Sequence, residues 1–225
     1  MNTPNESNKK IQNNSCLFCF FQGKKLVEIN IFRNFAFDML ELNEVQLEGS
    51  SHAYSMMALE EQITCLTVPG GALHQTPVRW LFAMLGLEPV RHGFISIDGE
   101  PLSVRSASAI RKLMSYVPYR LDDVGEISVY HAPTAGDVFA LKANRKAGKR
   151  SLQEEERQTG AVGQQARLLA TAVMLNRPVL LVDRPSALSM SYLRRQANAG
   201  RTVIVASNDA AVIAASDNVV EIHNS

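Results

Sequence analysis

Apolar residues recur along residues 40–225 with two different periods, one typical of strands and the other of helices. Residues 40–47 alternate apolar and polar positions, which predicts a strand with one buried face. Residues 54–59 predict a second strand, and residues 63–68 predict a third that ends at the turn of residues 69–71. The closeness of the first two strands predicts an antiparallel edge.

Helices and strands alternate after this edge, which predicts a mostly parallel sheet. The predicted helices cover residues 77–85, 106–113, 134–150, 188–199 and 210–215, and the predicted strands cover residues 94–97, 114–118, 202–206 and 219–222. Ser106 is a candidate N-cap of its helix. The fold class predicted from this order is α/β.

Residues 159–189 contain the strongest pattern in the chain. Leu168, Leu169, Ala172, Val173 and Leu175 recur at helical spacing, after which the period stops. Residues 179–182 are an unbroken apolar run, which suits a strand buried on both faces. The carboxylate of Asp183 then follows the strand end, where open α/β sheets place their ligand chemistry.

Residues 1–38 differ from the rest in composition. They hold six of the nine Phe, four Lys and seven Asn. The interpretation is a disordered or loosely attached extension, with Met39 as an alternative natural start, and residues 39–225 are the predicted domain. Cys16 and Cys19 form a lone CxxC, for which a metal or redox role is weakly supported, and Cys65 fits a buried thiol.

The overall charge gives no argument for nucleic-acid binding, since the formal net charge is only +1. No apolar run approaches the length of a transmembrane helix, so any membrane association is expected to be peripheral.

Six sequence fragments follow one another in an order that resembles a known family. They read PGGALHQT (residues 69–76), GLEPVRHGFISIDG (86–99), IRKLMSYVPY (110–119), GAVGQQAR (160–167), NRPVLLVDRPSAL (176–188) and TVIVASND (202–209). Their order and spacing resemble the nucleotide-binding domain of ATP-binding cassette (ABC) ATPases. The resemblance implies a P-loop NTPase-like fold: a mostly parallel sheet flanked by helices, an N-terminal antiparallel β edge, and a shortened helical subdomain at roughly residues 120–165.

The phosphate-binding loop implied by the resemblance spans residues 69–76 and is degenerate. Gly70 and Gly71 match its glycines, whereas His74 stands in the lysine position, Gln75 in the Mg²⁺-ligand position and Thr76 follows. Shifting the register by three residues puts Pro77 in the lysine position instead. In either register the lysine that reaches the phosphates is replaced, and Leu73 adds bulk where the backbone approaches them.

The other motif positions implied by the family are mostly altered as well. Tyr119 stands where the family has a Gln, Arg184 stands where it has the general base Glu, and Asn208 stands where it has the switch His. Asp183 keeps the carboxylate of a possible Mg²⁺ site. The signature motif keeps Gly163 and Gln164 but has Ala161 and Val162 before them. Because a guanidinium does not accept a proton from water near neutral pH, base catalysis at residue 184 is not expected.

The stretches at residues 120–160 and 183–208 look short for the family. The first holds a basic cluster, whose two open interpretations are a solvated helix face and a docking surface: Lys142, Arg145, Lys146, Lys149 and Arg150. Tyr54 is a candidate for stacking on adenine, with a core or surface role equally open.

The resemblance and its departures together imply a non-catalytic pseudo-ATPase subunit, cytoplasmic and peripheral on the inner face of the membrane. Its expected partners are integral membrane permease subunits and a second ABC-type domain, either its own copy or a competent ATPase, and no cofactor or nucleic acid is expected. The main alternative is a divergent, active subunit that uses ATP and Mg²⁺. A regulatory module that binds nucleotide without hydrolysing it and a relic without function also stay open.

Overall fold

A computed structural model describes residues 40–71, 77–120 and 149–223. Its strands are β1 (Leu40–Leu47), β2 (Tyr54–Ala58), β3 (Ile63–Thr67), β4 (Val90–Ile97), β5 (Glu100–Pro101), β6 (Met114–Val117), β7 (Val179–Asp183), β8 (Thr202–Ala206) and β9 (Asn218–Glu221). Its helices are α1 (Val78–Met84), α2 (Ala107–Lys112), α3 (Lys149–Gln158), α4 (Gly163–Met174), α5 (Met190–Asn198) and α6 (Ala210–Ala214), and a 3₁₀ turn, Ala187–Ser189, precedes α5. Several predictions lie outside these residues: the extension at 1–38, Cys16 and Cys19, and most of the helix at 134–150.

The predicted antiparallel edge is a separate four-stranded sheet in the order β2-β1-β4-β5. Strand β1 pairs antiparallel with both β2 and β4, and its register shifts at a bulge between Leu42 and Val45. Gly93 of β4 lies opposite this bulge with φ +76°, and a Cβ built there would lie 2.3 Å from the carbonyl oxygens of Asn43 and Glu44. The bulge therefore requires glycine at position 93.

The second sheet is parallel and has the order β6-β7-β8-β3-β9. Its three central strands, β7, β8 and β3, are buried at every position, in agreement with the continuous apolar runs in their sequences. Cys65 lies within β3, where burial raises the pKa of its thiol to about 11. The prediction of a small buried thiol is confirmed.

Two apolar clusters cover the faces of the parallel sheet. One joins the antiparallel sheet and α1 to one face and includes Trp80, Leu81 and Tyr116. The other packs α4, α5 and α6 on the opposite face and includes Leu169, Leu193 and Val212. The α/β fold class with helices flanking a mostly parallel sheet is thus confirmed.

Three details differ from the sequence predictions. Strand β4 begins at Val90, earlier than predicted. The sequence pattern missed its first half because that half is exposed and has no apolar face. Ser106 holds the N-cap position of α2, as predicted, but its side chain makes no cap hydrogen bond; its hydroxyl instead donates to the carbonyl of Pro101 at 2.6 Å. Helix α3 has one apolar residue in ten, Leu152, and so gives no helical period.

Helix α3 is joined to α5 by a hydrogen bond between side chains. The buried Tyr192 of α5 donates its phenolic proton to the Glu155 carboxylate of α3. Burial first, and then this hydrogen bond, raise the pKa of Tyr192 far above its ordinary value. The phenol therefore stays protonated and remains a donor at every physiological pH.

The start of β9 is fixed by one carboxylate. The Oδ2 atom of Asp217 accepts the backbone N–H of Ile63 at 2.7 Å and Nη1 of Arg194 at 2.6 Å. Burial alone would raise the pKa of Asp217, but the hydrogen bonds from Arg194 and Ile63 and the nearby guanidinium charge outweigh it. The pKa of Asp217 therefore lies below its ordinary value.

We expect Asp217→Asn to lower the free energy of unfolding at pH 7 by about 1 kcal/mol, a modest value because the carboxylate is 36% exposed. Stability from a depressed carboxyl pKa is present above the unfolded pKa of about 3.9 and disappears as the pH falls through the folded pKa. Urea unfolding of wild type and variant should therefore differ at pH 7 and converge in acid. Glu100→Gln, at an exposed carboxylate, is the control, and a difference that persists in acid would contradict this assignment.

Candidate functional site

The carboxyl ends of the parallel strands bring most of the predicted site residues to one edge of the sheet. Val117 of β6 pairs with Val182 of β7, and Asp183 pairs with Ala206 of β8. Ala206 in turn pairs with Leu66 of β3. The residues that follow these strands therefore lie along one edge, and they include Tyr119, Asp183, Arg184, Asn208, Gly70 and Gly71.

Asp183 and Arg184 form an ion pair between neighbouring residues at the end of β7. The Arg184 atoms Nε and Nη2 lie 3.3 Å and 3.2 Å from Oδ2 of Asp183, whose side chain is only 3% exposed. A buried carboxylate needs a compensating positive charge, and here the chain supplies it. Arg184, at the position where the resemblance implies a general base, is thus the counter-ion of Asp183.

The guanidinium of Arg184 also lies over the ring of Tyr119, with its central carbon 4.5 Å from the ring centroid. Arg120 places its guanidinium against the same ring at 5.3 Å. Such contacts favour the charged guanidinium, and they restrict the orientation of the long side chain. The three positions that the sequence treated separately, 119, 183 and 184, therefore form one contact group.

The backbone at residues 183–184 is held from two sides. Arg184 has φ +46°, an uncommon value for a residue with a side chain, and its N–H donates to the carbonyl of Ala206 at 2.8 Å. From α4, the side-chain amide of Gln165 donates to the carbonyl of Asp183 at 2.9 Å. These bonds fix the turn that directs Arg184 back over Asp183.

Asn208 connects the loop after β8 to the end of β3. Its Oδ1 atom accepts the hydroxyl of Thr67 and the backbone N–H of Val68, both at 2.9 Å. A Cβ built on Gly71 would lie 2.8 Å from Nδ2 of Asn208, so this amide lies directly against the glycine turn. Asn208 thus holds the two loops together.

The remainder of the predicted phosphate-binding loop lies outside the described residues. This applies to Leu73, His74, Gln75 and Thr76. Gly70 has φ +65°, and the N–H of Gly71 donates to the carbonyl of Val68 at 3.0 Å, so these two glycines form a tight turn after β3. The turn predicted at residues 69–71 is confirmed.

A cavity of about 780 Å³ opens beside the Asp183–Arg184 pair. Its lining brings together Tyr119, Arg184 and the two retained signature residues, Gly163 and Gln164. Six further lining residues were not singled out from the sequence: Arg120, Gln165, Pro185, Ser186, Ser207 and Asp209. The one signal that could have found some of them is adjacency, since Arg120, Gln165 and Asp209 each follow a predicted site residue.

Val162 and Tyr54, two further residues singled out from the sequence, have different surroundings. Val162 is 77% exposed at the start of α4. Tyr54 contacts Trp80 edge-on, with ring centroids 5.1 Å apart, and its hydroxyl accepts the backbone N–H of His223 at 2.6 Å. Of the two open interpretations of Tyr54, these contacts favour a structural role.

The described residues do not fit a Mg²⁺ ion at Asp183. A divalent cation there would compete with the Arg184 guanidinium for the same oxygens, and it would experience the repulsion of that charge. Within residues 40–71, 77–120 and 149–223, no group of three or more His, Cys, Asp or Glu side chains could hold a metal ion.

The fold defined by the two sheets and the glycine turn is that of ABC transporter ATP-binding subunits. The structure of cbiO1 from Clostridium perfringens, part of the ABC transporter complex cbiONQ, superposes with a TM-score of 0.61 and 18% identity, covering 82% of this chain and 84% of that chain. An ATP-binding subunit of an ABC transporter gives a TM-score of 0.57 and 15% identity, covering 83% and 86%. A bacterial Atm1-family ABC exporter with ATP bound gives 0.53 and 18%, covering 83% of this chain and 37% of that one.

The sequence comparisons add no further assignment. No protein-family model matches the chain, and no curated protein matches it at a significant level. At 15–18% identity, the solved structures establish the fold. Among the described residues, no helix is both long and apolar enough to cross a bilayer.

Proposed function

We infer that the chain is a non-catalytic ABC-type subunit that acts as a structural or regulatory component of a membrane transporter or envelope complex. The observation that carries this proposal is the position of the Arg184 guanidinium. It forms an ion pair with Asp183, the one acidic residue that matches the ATPase pattern, and it lies over the ring of Tyr119. A cation supplied by the chain stands where the ATPase pattern requires a metal ion and a general base.

The altered loop sequence supports the same conclusion independently. His74 or Pro77 stands for the lysine and Gln75 for the Mg²⁺ ligand, and neither His nor Pro supplies an extended ammonium group. Asn208, at the switch position, uses its amide oxygen to bind the end of β3. Losses in three separate roles are harder to compensate than the loss of one.

The fold supports a role beside membrane subunits. Two of its structural neighbours are named as ATP-binding subunits or parts of ABC transporter complexes, and they match along more than four-fifths of their length. We propose that this chain lies on the inner face of the membrane, bound to integral permease subunits. We further propose that it pairs with a second ABC-type domain, which is either another copy of this chain or a competent ATPase.

The proposal predicts that the purified protein neither binds Mg·ATP at micromolar concentration nor hydrolyses it. Calorimetry with ATP, with and without Mg²⁺, and a phosphate-release assay provide the measurements, and Asp183→Ala gives the baseline. Micromolar binding with turnover that Asp183→Ala abolishes would establish the alternative, a divergent active ATPase. Binding without turnover would instead favour a regulatory nucleotide-binding module.

The partner assignment needs a separate experiment in native membranes. Affinity purification of the tagged full-length chain, followed by mass spectrometry, is expected to recover a polytopic membrane protein in stoichiometric amount. Recovery of the chain only as a soluble monomer would contradict a transporter-subunit role.

A further inference from the structure

The cavity beside β7 carries two arginines that the ATPase pattern does not require. We propose that this cavity binds a single carboxylate, without any metal ion, through Arg120 and Arg184. This inference rests on the proposed function, because it assumes that Asp183 is neutralised by Arg184 and not by Mg²⁺.

The two guanidinium groups share one aromatic ring. Both lie against the ring of Tyr119, at 5.3 Å for Arg120 and 4.5 Å for Arg184, and all three residues line the cavity. Stacking on one ring restricts both side chains, so less rotamer entropy is lost when a ligand binds. A planar guanidinium fork matches the two oxygens of a carboxylate.

The charges around the cavity disfavour a multiply charged anion. Arg184 is paired with Asp183, and Asp209, which also lines the cavity, uses its carboxylate to accept the N–H of Ala211 at 2.8 Å. Among the described residues around the cavity, Arg120, Arg184, Asp183 and Asp209 sum to no net charge. A triphosphate would therefore add several uncompensated charges, whereas one carboxylate adds only one.

The remainder of the lining combines apolar and polar groups. The exposed Val162, Pro185 and the Tyr119 ring offer apolar contact, while Gln164 and Ser186 add polar groups. A volume of about 780 Å³ is large for an isolated acetate and suits a short segment or small molecule that carries the carboxylate. The carboxylate can therefore come from an acidic side chain of a protein partner or from a free metabolite-sized acid.

The test is a titration of the full-length protein, freed of divalent cations on a solid chelating resin and monitored by NMR of the arginine Nε–Hε signals. The probes are butyrate, the peptide acetyl-Ala-Glu-Ala-amide and inorganic pyrophosphate. We expect saturable shifts with butyrate and with the peptide, and weaker binding of pyrophosphate. Tighter binding of the peptide than of butyrate would indicate a protein partner, and the reverse order would indicate a free acid.

The variants assign the binding to named residues. Arg120→Ala should weaken carboxylate binding about tenfold or more, and Arg120→Lys, which keeps the charge but loses the fork, should weaken it less. Arg105→Ala, at an exposed arginine outside the cavity lining, is the matched control and should bind as wild type does. Equal binding by wild type and Arg120→Ala, or the absence of saturable shifts, would overturn the proposal.

Metal dependence separates this inference from the proposed function. Carboxylate binding that requires Mg²⁺ would contradict the metal-free site. Mg·ATP hydrolysis dependent on Asp183 would contradict the proposed function, whereas carboxylate binding insensitive to Arg120 in a protein that does not hydrolyse ATP would contradict this inference alone.

Discussion

Gly93→Ala is expected to lower the free energy of unfolding by about 3 kcal/mol or more, which would leave the domain largely unfolded at moderate urea concentration. Gly93 has φ +76°, and a Cβ there would lie 2.3 Å from two carbonyl oxygens of β1. Those atoms belong to the backbone of the bulged strand, so no side-chain rotation can relieve the contact. The antiparallel sheet would have to separate at β1 and β4.

The chain offers a matched control for this prediction. Gly99 has nearly the same backbone conformation, φ +79°, but nothing lies within 4 Å of a Cβ built there. Gly99→Ala should therefore cost only about 1 kcal/mol, the penalty of the left-handed conformation itself. Urea titrations monitored by circular dichroism would measure the free energy of unfolding of both variants. Equal losses of that free energy in the two variants would disprove the clash at Gly93.

Arg184→Gln is expected to cost about 2 to 3 kcal/mol of stability, because it removes the guanidinium from a carboxylate whose side chain is 3% exposed. The partial exposure of Arg184, 24%, places the expected loss below that of a fully buried pair. The contact with the Tyr119 ring is lost as well.

A double-mutant cycle isolates the pair itself. Asp183→Asn alone should also destabilise the protein, since it leaves the guanidinium facing a neutral amide. The variant that combines Asp183→Asn with Arg184→Gln should be more stable than the sum of the single losses predicts, by about 1 kcal/mol or more. Thermal and urea unfolding of the four proteins supply the data. Strictly additive losses would mean that the two side chains do not interact in solution.

The sequence was sufficient for the fold where apolar patterns are long or continuous. The strand at residues 202–206 has the predicted bounds, and the helix after Gly163 and the strand before Asp183 are placed as expected. It was insufficient where helix formation has no apolar signature. Helix α3 contains Lys, Arg, Gln and Glu, which favour helices by propensity, but Leu152 alone provides no period.

The site was predictable as a set of positions and not as a set of contacts. The motif order named Tyr119, Asp183, Arg184 and Asn208 one by one, and the structure brings them to one edge because parallel strands end there together. The stacking of Arg184 on Tyr119 joins residues 65 positions apart and depends on the pairing of β6 with β7 and on the positive φ of Arg184. Neither feature can be read from residue types alone.

The position of β3 in the parallel sheet has a consequence for how the chain folds as it is synthesised. Both partners of β3, β8 and β9, come much later in the chain: Ile63 pairs with Val203, and Thr64 pairs with Asn218. All strands of the antiparallel sheet have been synthesised once residue 101 leaves the ribosome. The partners of β3 are synthesised about 100 residues later, and until then both edges of β3 and its apolar side chains are exposed. Unpaired apolar strands are sites of aggregation during such delays. A chain that stops before Thr202 therefore keeps this strand without partners, so the last two strands act as the completion step of folding.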